Sequence, residues 1–440
     1  MKSHIFLGPW FLVVAQLRVI SPDSLRQELQ SEGEVVPVST STFGCPEYGE
    51  ALVGRLLYVE ASGCAPDYRD ALVSLYGESG AALDSIQGVS RESASTPISG
   101  SKLAAAGDIY LLRRGVCSFA QKVAAAQELG AAAAVIVDYG NSTWTRQDIQ
   151  QAVVSDDGSF PNITIPSVLV SREDGAALLR HAADPPTVAL EWDIPQRDVV
   201  RVDFWYSPDH TGSLHTLQTL APAVAALRGT LDFHSHLYLA DRDASHTYCF
   251  QGNPKLCATD ANTLQEDLLQ LCIRRLTTQP LPVADPADPA DPAHPADPAD
   301  PVADDPDFNN DQDFNDDQDP PPNGKDSLPG GSVVFYSEAY WNYLTAFADK
   351  CTPTPPDTLD SSCGRKLLKE LDLPLADLNN CLTDRAQDVL LSQRENNAWG
   401  VTAARINGAR FAGSTTDPTN LLKAACLALT SKQAECKQTI

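Results

Sequence analysis

The chain lacks several features, and each absence removes a class of function. No Cys-x-x-Cys pair occurs among its 11 cysteines, so neither a dithiol redox centre of that spacing nor a zinc ribbon is encoded. Cations are scarce: 32 Lys and Arg stand against 58 Asp and Glu, a net charge of −26, which argues against a grip on nucleic acid. Beyond the N-terminus no stretch approaches the roughly 20 apolar residues of a membrane helix, so no membrane span is expected. There is no Gly-x-Ser-x-Gly, no His-Glu-x-x-His and no glycine-rich phosphate loop, so the common nucleophile, metalloprotease and nucleotide signatures are missing.

What is present points to an oxidising compartment. At 440 residues the chain has room for two or three domains. Many cysteines without metal spacing read as disulfides, and their odd number leaves a thiol free or paired with another chain. Lys2 precedes an apolar run, 5–14, with Val13 and Ala15 at small-residue cleavage positions; residues 1–15 are therefore expected to be a secretory signal. Asn141 and Asn162 head glycosylation sequons. About half of the negative charge is local: residues 285–326 hold 14 Asp and one Lys, about −13.

Along the chain, the stretch 109–137 reads as strand, turn, helix and strand. Ile109–Leu112 is apolar, Arg113-Arg114-Gly115 breaks it, Phe119, Val123, Ala126 and Leu129 recur at helical spacing, and Ala133–Val137 is a two-sided buried run. Flanking strands are expected at 53–59, 165–170 and 187–192, with a polar surface loop over 139–161 and a short helix capped by Ser171. Past a boundary at 195–198, strands are expected at 199–205 and 231–239, with helices from Ser213 to Ala226 and through Arg275. Residues 278–332 repeat Asp-Pro-Ala and then run in Asn, Asp and Gln, the composition of an extended, disordered linker. After it, helices are expected at 338–350, 367–371, 375–382, 388–393 and 419–429, with a hairpin through Asn407-Gly408. That order suggests a mixed α/β chain of two domains, the second thioredoxin-like with a helical insertion.

Arg114-Gly115-Val116-Cys117-Ser118-Phe119, Lys122, Gly130-Ala131, 135–137 and Ile165-Pro166-Ser167 resemble a protease-associated (PA) domain. The wider pattern resembles the lumenal head of plant and algal vacuolar sorting receptors. It comprises 17–25, Phe43-Gly44, Tyr48-Gly49, 52–54, Cys64, Phe204-Trp205, the Cys249, Cys257 and Cys272 series, 340–351, Cys363, 378–381, 422–426 and Cys436. The resemblance implies a PA domain over 16–194, a thioredoxin-like domain over 198–277 and 333–440, and the 278–332 linker between its two parts. It also implies a non-enzymatic lumenal protein whose partners are soluble cargo proteins carrying short peptide determinants, in the Golgi, a prevacuolar compartment, the vacuole or outside the cell. Receptors of that family continue into EGF-like repeats and a membrane span, and this chain stops at Ile440. A secreted matrix or accessory role and a disulfide isomerase-like enzyme are the alternatives.

The resemblance puts the cargo peptide against Arg113, Arg114 and Gly115, with Ser21 and Ser24 lining the same groove. Val116 stands where family members carry Asp, so a different selectivity is expected. The resemblance pairs Cys64 with Cys117. Proximity in sequence suggests Cys249 with Cys257, Cys351 with Cys363 and Cys426 with Cys436; Cys272 and Cys381 are left for each other or for cross-pairing, and Cys45 has no evident partner. The turn 206–213 contains no cysteine, which speaks against disulfide exchange. His234 and His236 share a strand face but lack further ligands at metal spacing, so no metal is expected. Asp307, Asn309, Asp311 and Asp313 begin like a calcium loop yet miss its glycine and closing glutamate. No cofactor is expected beyond weak, diffuse calcium binding by this acidic tract.

Overall fold

A computed structural model describes residues 15–29, 35–59, 64, 107–155, 159–160, 162–239, 249–250, 253–282, 333–353, 359–384, 398–431 and 436. Residues 1–14, the helix expected at 388–393, the calcium-like motif and most of 278–332 lie outside them. The chain is a mixed α/β protein with a β-rich first part.

Eight strands build the first sheet: β1 (Ala15–Ser21), β2 (Val36–Pro37), β3 (Ser39–Thr40), β4 (Ala51–Tyr58), β5 (Ile109–Arg113), β6 (Ala133–Val137), β7 (Ser167–Val170) and β8 (Thr187–Trp192). Their order is β2-β1-β8-β4-β5-β6-β7-β3. From β4 to β7 the strands run parallel, so both faces must be covered and the strands lack polar alternation. All five residues of β6 are buried, as are the first four of β5. Ile109, Leu111 and Val135 enter one apolar cluster, and Tyr110, Leu112 and Ile136 enter another on the opposite face. Each such buried aliphatic side chain contributes roughly 1.5–3 kcal/mol.

Helix α1 (Asp23–Leu29) follows β1, and α2 (Phe119–Glu128) crosses from β5 to β6. Ser118 caps α2, its hydroxyl accepting from the Gln121 N–H at 3.2 Å, while Ala120, Val123 and Ala126 form its buried stripe. The segment expected to be a bare loop contains α3 (Arg146–Gln151), started by a reciprocal cap between Thr145 and Asp148. Ser171 caps α4 (Arg172–Arg180), as expected from its spacing to Asp174.

The second sheet has the order β10-β9-β15-β16, from β9 (Val200–Tyr206), β10 (Leu231–Leu237), β15 (Ala404–Ile406) and β16 (Ala409–Arg410). β9 and β10 are parallel, β15 is antiparallel to β9, and β15 and β16 form a hairpin. Its turn residues Asn407 and Gly408 sit at φ 50° and 81°, the pair of positive values a two-residue hairpin requires. Helix α5 (Thr211–Ala226) joins β9 to β10 and begins two residues before Ser213, because His210 Nδ1 accepts from the Ser213 N–H at 2.9 Å. A two-stranded pair, β11 (Cys249–Phe250) and β12 (Asn253–Cys257), precedes α6 (Ala261–Thr277).

The start of the linker needs correction. Residues 279–282, assigned to it by composition, form β13 (Gln279–Pro282), which pairs antiparallel with β14 (Val333–Tyr336), so the tract's two ends are stitched together. Pro280 and Pro282 are two apart in the strand, so their missing donors fall on the same edge and the pairing tolerates both.

Helices α7 (Glu338–Lys350), α8 (Ser361–Glu370), α9 (Leu375–Asp384) and α10 (Pro418–Leu427) complete the second part. Between α6 and α7 lies a buried polar network. The Tyr343 hydroxyl and Gln270 Nε2 each donate to Glu266 at 2.8 Å. The Tyr206 hydroxyl donates to Gln270 Oε1 at 2.5 Å and lies 3.0 Å from the Tyr340 hydroxyl, which reaches Ser235 at 2.8 Å. His234 and His236 do share a face; His236 is 4% exposed, and its Nε2 lies 2.8 Å from Asp203.

The two sheets meet along an apolar cluster that runs through both. Tyr48 stacks on Phe411 at 5.8 Å, and its hydroxyl accepts from the Ala412 N–H at 2.6 Å. The Ser414 N–H donates to the Gly44 carbonyl at 2.9 Å, and the Gly413 N–H to Ser41 at 3.0 Å. Asn407 Nδ2 donates to the Pro195 carbonyl at 2.6 Å, which ties the boundary segment to the second hairpin.

Candidate functional site

The ends of β5 and β6 place the turn 113–117 at the carboxyl edge of the parallel strands, where α/β sheets commonly bind ligands. Cys117 is disulfide-bonded to Cys64, so the turn is held from both sides. Gly115 takes φ 112°, and a Cβ there would lie 2.9 Å from the Tyr139 ring; the position demands glycine for conformation and for space. Val116 follows at φ 71° and is 90% exposed. A β-branched residue in the left-handed region is an outlier, and such strain collects at functional sites.

Arg114 lies within this turn but its guanidinium is committed. Its NH1 donates to Asp138 Oδ1 at 2.8 Å, and the Asp138 carboxylate, just past β6, is fully buried. The same guanidinium lies 4.6 Å from the Tyr139 ring centroid, 4.9 Å from Trp144 and 5.3 Å from Phe119, an aromatic enclosure that adds cation–π attraction. Among the described residues Asp138 Oδ2 has no hydrogen-bond partner, and Arg114 is the cation paired with this carboxylate. Arg113 is exposed, and its Nε donates to the Tyr58 hydroxyl at 2.9 Å. Around the turn, Val116, Tyr139 and Trp144 leave an exposed apolar rim.

Sequence reasoning did not find Asp138, Tyr139 or Trp144. The signal for Trp144 was present: it directly precedes the Thr145 cap of α3, and that cap fixes where the indole emerges. Ser21, at the end of β1, is not set beside the turn. Ser21 is level with Thr187 and, through it, with Arg55, while Arg113 lies beyond the pairing of Tyr58 with Leu111. Two strands, β8 and β4, and several residues of register separate Ser21 from the turn. Asn141 and Asn162 are both exposed, Asn141 in the turn between Tyr139 and Trp144.

Lys122 faces inward from α2, its Nζ 3.7 Å from the Cys64 sulfur, and burial lowers its pKa to about 8. Arg146 clamps Asp174, its Nε 3.0 Å from both carboxylate oxygens, and the Ser171 hydroxyl donates to Asp174 Oδ2 at 2.6 Å. Further disulfides join Cys272 to Cys381, Cys351 to Cys363 and Cys426 to Cys436. Cys249 and Cys257 are partners in register; their side chains lie outside the description. Cys45 is free, and burial raises its pKa to about 11, which makes it an unreactive thiol. Among the described residues no group of three or more His, Cys, Asp and Glu is arranged to hold a metal, and no helix is long and apolar enough to cross a membrane.

Residues 32–178 match the PA domain. Vacuolar-sorting receptor 2 of Arabidopsis thaliana is 23% identical over 401 residues, covering 84% of this chain and 50% of the receptor. Vacuolar-sorting receptor 1 of Pisum sativum is 28% identical over 180 residues, covering 40% of this chain and 23% of the receptor. The chain thus spans half or less of the length of the curated relatives it matches. Among solved structures, a zinc aminopeptidase from Bacillus subtilis aligns with 40% of this chain and 29% of its own at 16% identity, with a TM-score of 0.24. A peptidase M28 precursor from Shewanella amazonensis aligns with 54% and 59% at 11% identity, TM-score 0.22. Scores that low bear on neither fold nor activity.

Proposed function

We propose that this vacuolar-sorting-receptor-like chain is a non-enzymatic binding protein of the secretory lumen that recognises short peptide determinants on soluble cargo through the 113–117 turn of its PA domain. Val116 carries the reading: an exposed valine held in a strained conformation, on a disulfide-pinned turn, at the centre of an aromatic rim. Because Asp138 and three rings engage the Arg114 guanidinium, the turn offers cargo its main chain and the Val116, Tyr139 and Trp144 surfaces. Arg113 and Gly115 belong to the same surface. Valine at the tip favours an apolar determinant over a basic one.

We read the second part as thioredoxin-like. Its strand order, a parallel pair extended by an antiparallel hairpin with the helical block between them, supports this. The turn after β9 carries Ser207, Asp209 and His210 and no thiol, so the reading gives it no redox chemistry. The Asp-rich tract is an insertion in this unit, and weak cation binding there is a secondary property.

The test is peptide binding by the full chain, read as anisotropy of a labelled peptide library. Val116→Asp, tolerated by a left-handed backbone, is expected to weaken bound apolar peptides about tenfold or more without lowering the melting temperature. Unchanged affinity in Val116→Asp and Trp144→Ala together would refute the assignment.

A further inference from the structure

The sequon Asn141-Ser142-Thr143 lies inside the aromatic rim of the 113–117 turn. Tyr139 precedes Asn141 by two residues and Trp144 follows it by three, and these side chains are 44% and 42% exposed. The Ser142 N–H bonds the Tyr139 carbonyl at 3.0 Å, which closes a four-residue turn with Gly140 and Asn141 at its corner. Beyond it, the Ser142 hydroxyl accepts from the Trp144 N–H at 3.2 Å, and the Thr145 cap then starts α3. Asn141 therefore stands at the tip of a hydrogen-bonded turn. Asn141 and Thr143 are both exposed, as a sugar attached at a surface sequon requires.

The Tyr139 ring is fixed from the protein side. The Arg114 guanidinium lies over it at 4.6 Å, and Gly115 packs so close that a Cβ there would come within 2.9 Å. The rest of the ring is in water. Aromatic faces are electron-rich, and the C–H groups of a pyranose face carry the complementary partial charge. A sugar on Asn141 is tethered two residues from that ring within one turn, so its effective concentration there is high. The other sequon sits elsewhere. The Asn162 carbonyl accepts from Gln127 Nε2 at 2.9 Å, and the Thr164 hydroxyl donates to Gln127 Oε1 at 3.0 Å. Gln127 is in the last turn of α2, whereas the 113–117 turn abuts its start, ten residues or about 15 Å away.

We infer that Asn141 carries an N-linked glycan whose first sugar packs on the Tyr139 ring and walls one side of the 113–117 turn, leaving Val116 and Trp144 as the apolar surface open to a peptide. The co-reactant is a lipid-linked oligosaccharide supplied by the host's transferase. The Asn141 amide nitrogen attacks the anomeric carbon, the C–N bond forms, the C–O bond to the lipid pyrophosphate breaks, and the amide proton passes to a base of the transferase. The consequence for peptides rests on the reading of the turn as the cargo site; the packing of the sugar on Tyr139 does not. The wall makes the site selective: an apolar determinant that reaches across Tyr139 is disfavoured, and one that seats on Val116 and Trp144 is taken.

The full chain is expressed through the secretory pathway of a eukaryotic host, beside Asn141→Gln, Thr143→Ala and Asn162→Gln. The first two destroy the same sequon through different residues. Occupancy is read by peptide mass spectrometry after enzymatic deglycosylation, which turns a glycosylated asparagine into aspartate. Asn141 should be occupied. Asn162 occupied with Asn141 bare overturns the inference alone; both bare overturn the lumenal reading with it. Packing is read without any peptide ligand, as the rate at which tetranitromethane nitrates Tyr139. That rate should rise severalfold in both variants of the first sequon and stay unchanged in Asn162→Gln. Equal nitration in wild type and those two variants places the sugar off the ring and overturns the inference. Apolar peptides from the labelled library that reach Tyr139 should bind the two variants about fivefold more tightly, the gain from one further ring face, and adding Tyr139→Ala should abolish the gain. A shielded Tyr139 with unchanged affinity of such a peptide overturns the wall. If no peptide binds any of these chains, the cargo reading falls, and the nitration rates still decide the glycan.

Discussion

Glu266 offers a quantitative test of how the second unit responds to acid. Its carboxyl is buried in the network between α6 and α7, and burial raises its pKa from 4.5 to about 7, against the opposing hydrogen bonds from Gln270 and Tyr343. The proton is therefore bound more tightly in the folded state than in the unfolded one. Stability from this group is fully present below about pH 4.5 and is lost as pH rises through about 7. At roughly 1.4 kcal/mol for each tenfold in proton affinity, the gap amounts to about 3 kcal/mol. Glu266→Gln keeps an acceptor for Tyr343 and removes the titration. The variant should match wild type near pH 4 and be more stable by about 3 kcal/mol above pH 8, a rise of roughly 6–12 °C for a unit of this size. Denaturant unfolding at half-unit pH steps measures this directly. Asp267, likewise pushed up by burial and by Asp209 and Glu266, leaves the variant a residual slope, so the comparison is between slopes. Parallel profiles for wild type and Glu266→Gln would refute the argument, because they would mean that Glu266 is ionised within the fold at little cost.

Two further predictions concern the first unit. Arg114→Ala strands the buried Asp138 carboxylate without its counter-ion, and should lower stability by about 3–5 kcal/mol; Arg114→Lys should restore part of it. Thermal unfolding of both variants checks this, and equal stability of wild type and Arg114→Ala would show that Asp138 is not a buried anion. Replacing Cys64 and Cys117 by serine opens a closed loop of 53 residues, which should cost about 4 kcal/mol by the chain-entropy relation. Calorimetry of the double variant, compared with wild type under non-reducing conditions, reads the difference.

Much of the fold was legible because its signals are local. The two-sided apolar runs of β5 and β6, the alternation of β9 and the aromatic stripe of α7 each lie within one window of sequence. What escaped depends on distant partners. Glu266 and Gln270 fall in a helix legible by its spacing, but their partners Tyr206, from a strand, and Tyr343, from another helix, are distant in sequence. Asp138 looks like an ordinary residue after a strand until Arg114, 24 residues earlier, turns back onto it. β13 was hidden by composition: its two prolines resemble the repeat that follows, and only the pairing with Val333–Tyr336 reveals a strand. The site itself was half legible. Its turn and disulfide stood out as a motif, whereas its aromatic rim arrives from another loop and carries no motif at all.

The stitching of β13 to β14 bears on how the chain survives proteolysis. Cys272 precedes the Asp-rich excursion and Cys381 follows it, and the two are covalently joined. A peptide bond cut anywhere between Pro282 and Val333 therefore yields two polypeptides that remain one molecule, clasped by the ribbon and by a disulfide. The excursion is expendable as a covalent connection. Joined at Cys272–Cys381 and along β13 and β14, the two halves of the second part do not depend on the intervening peptide bonds for their connection.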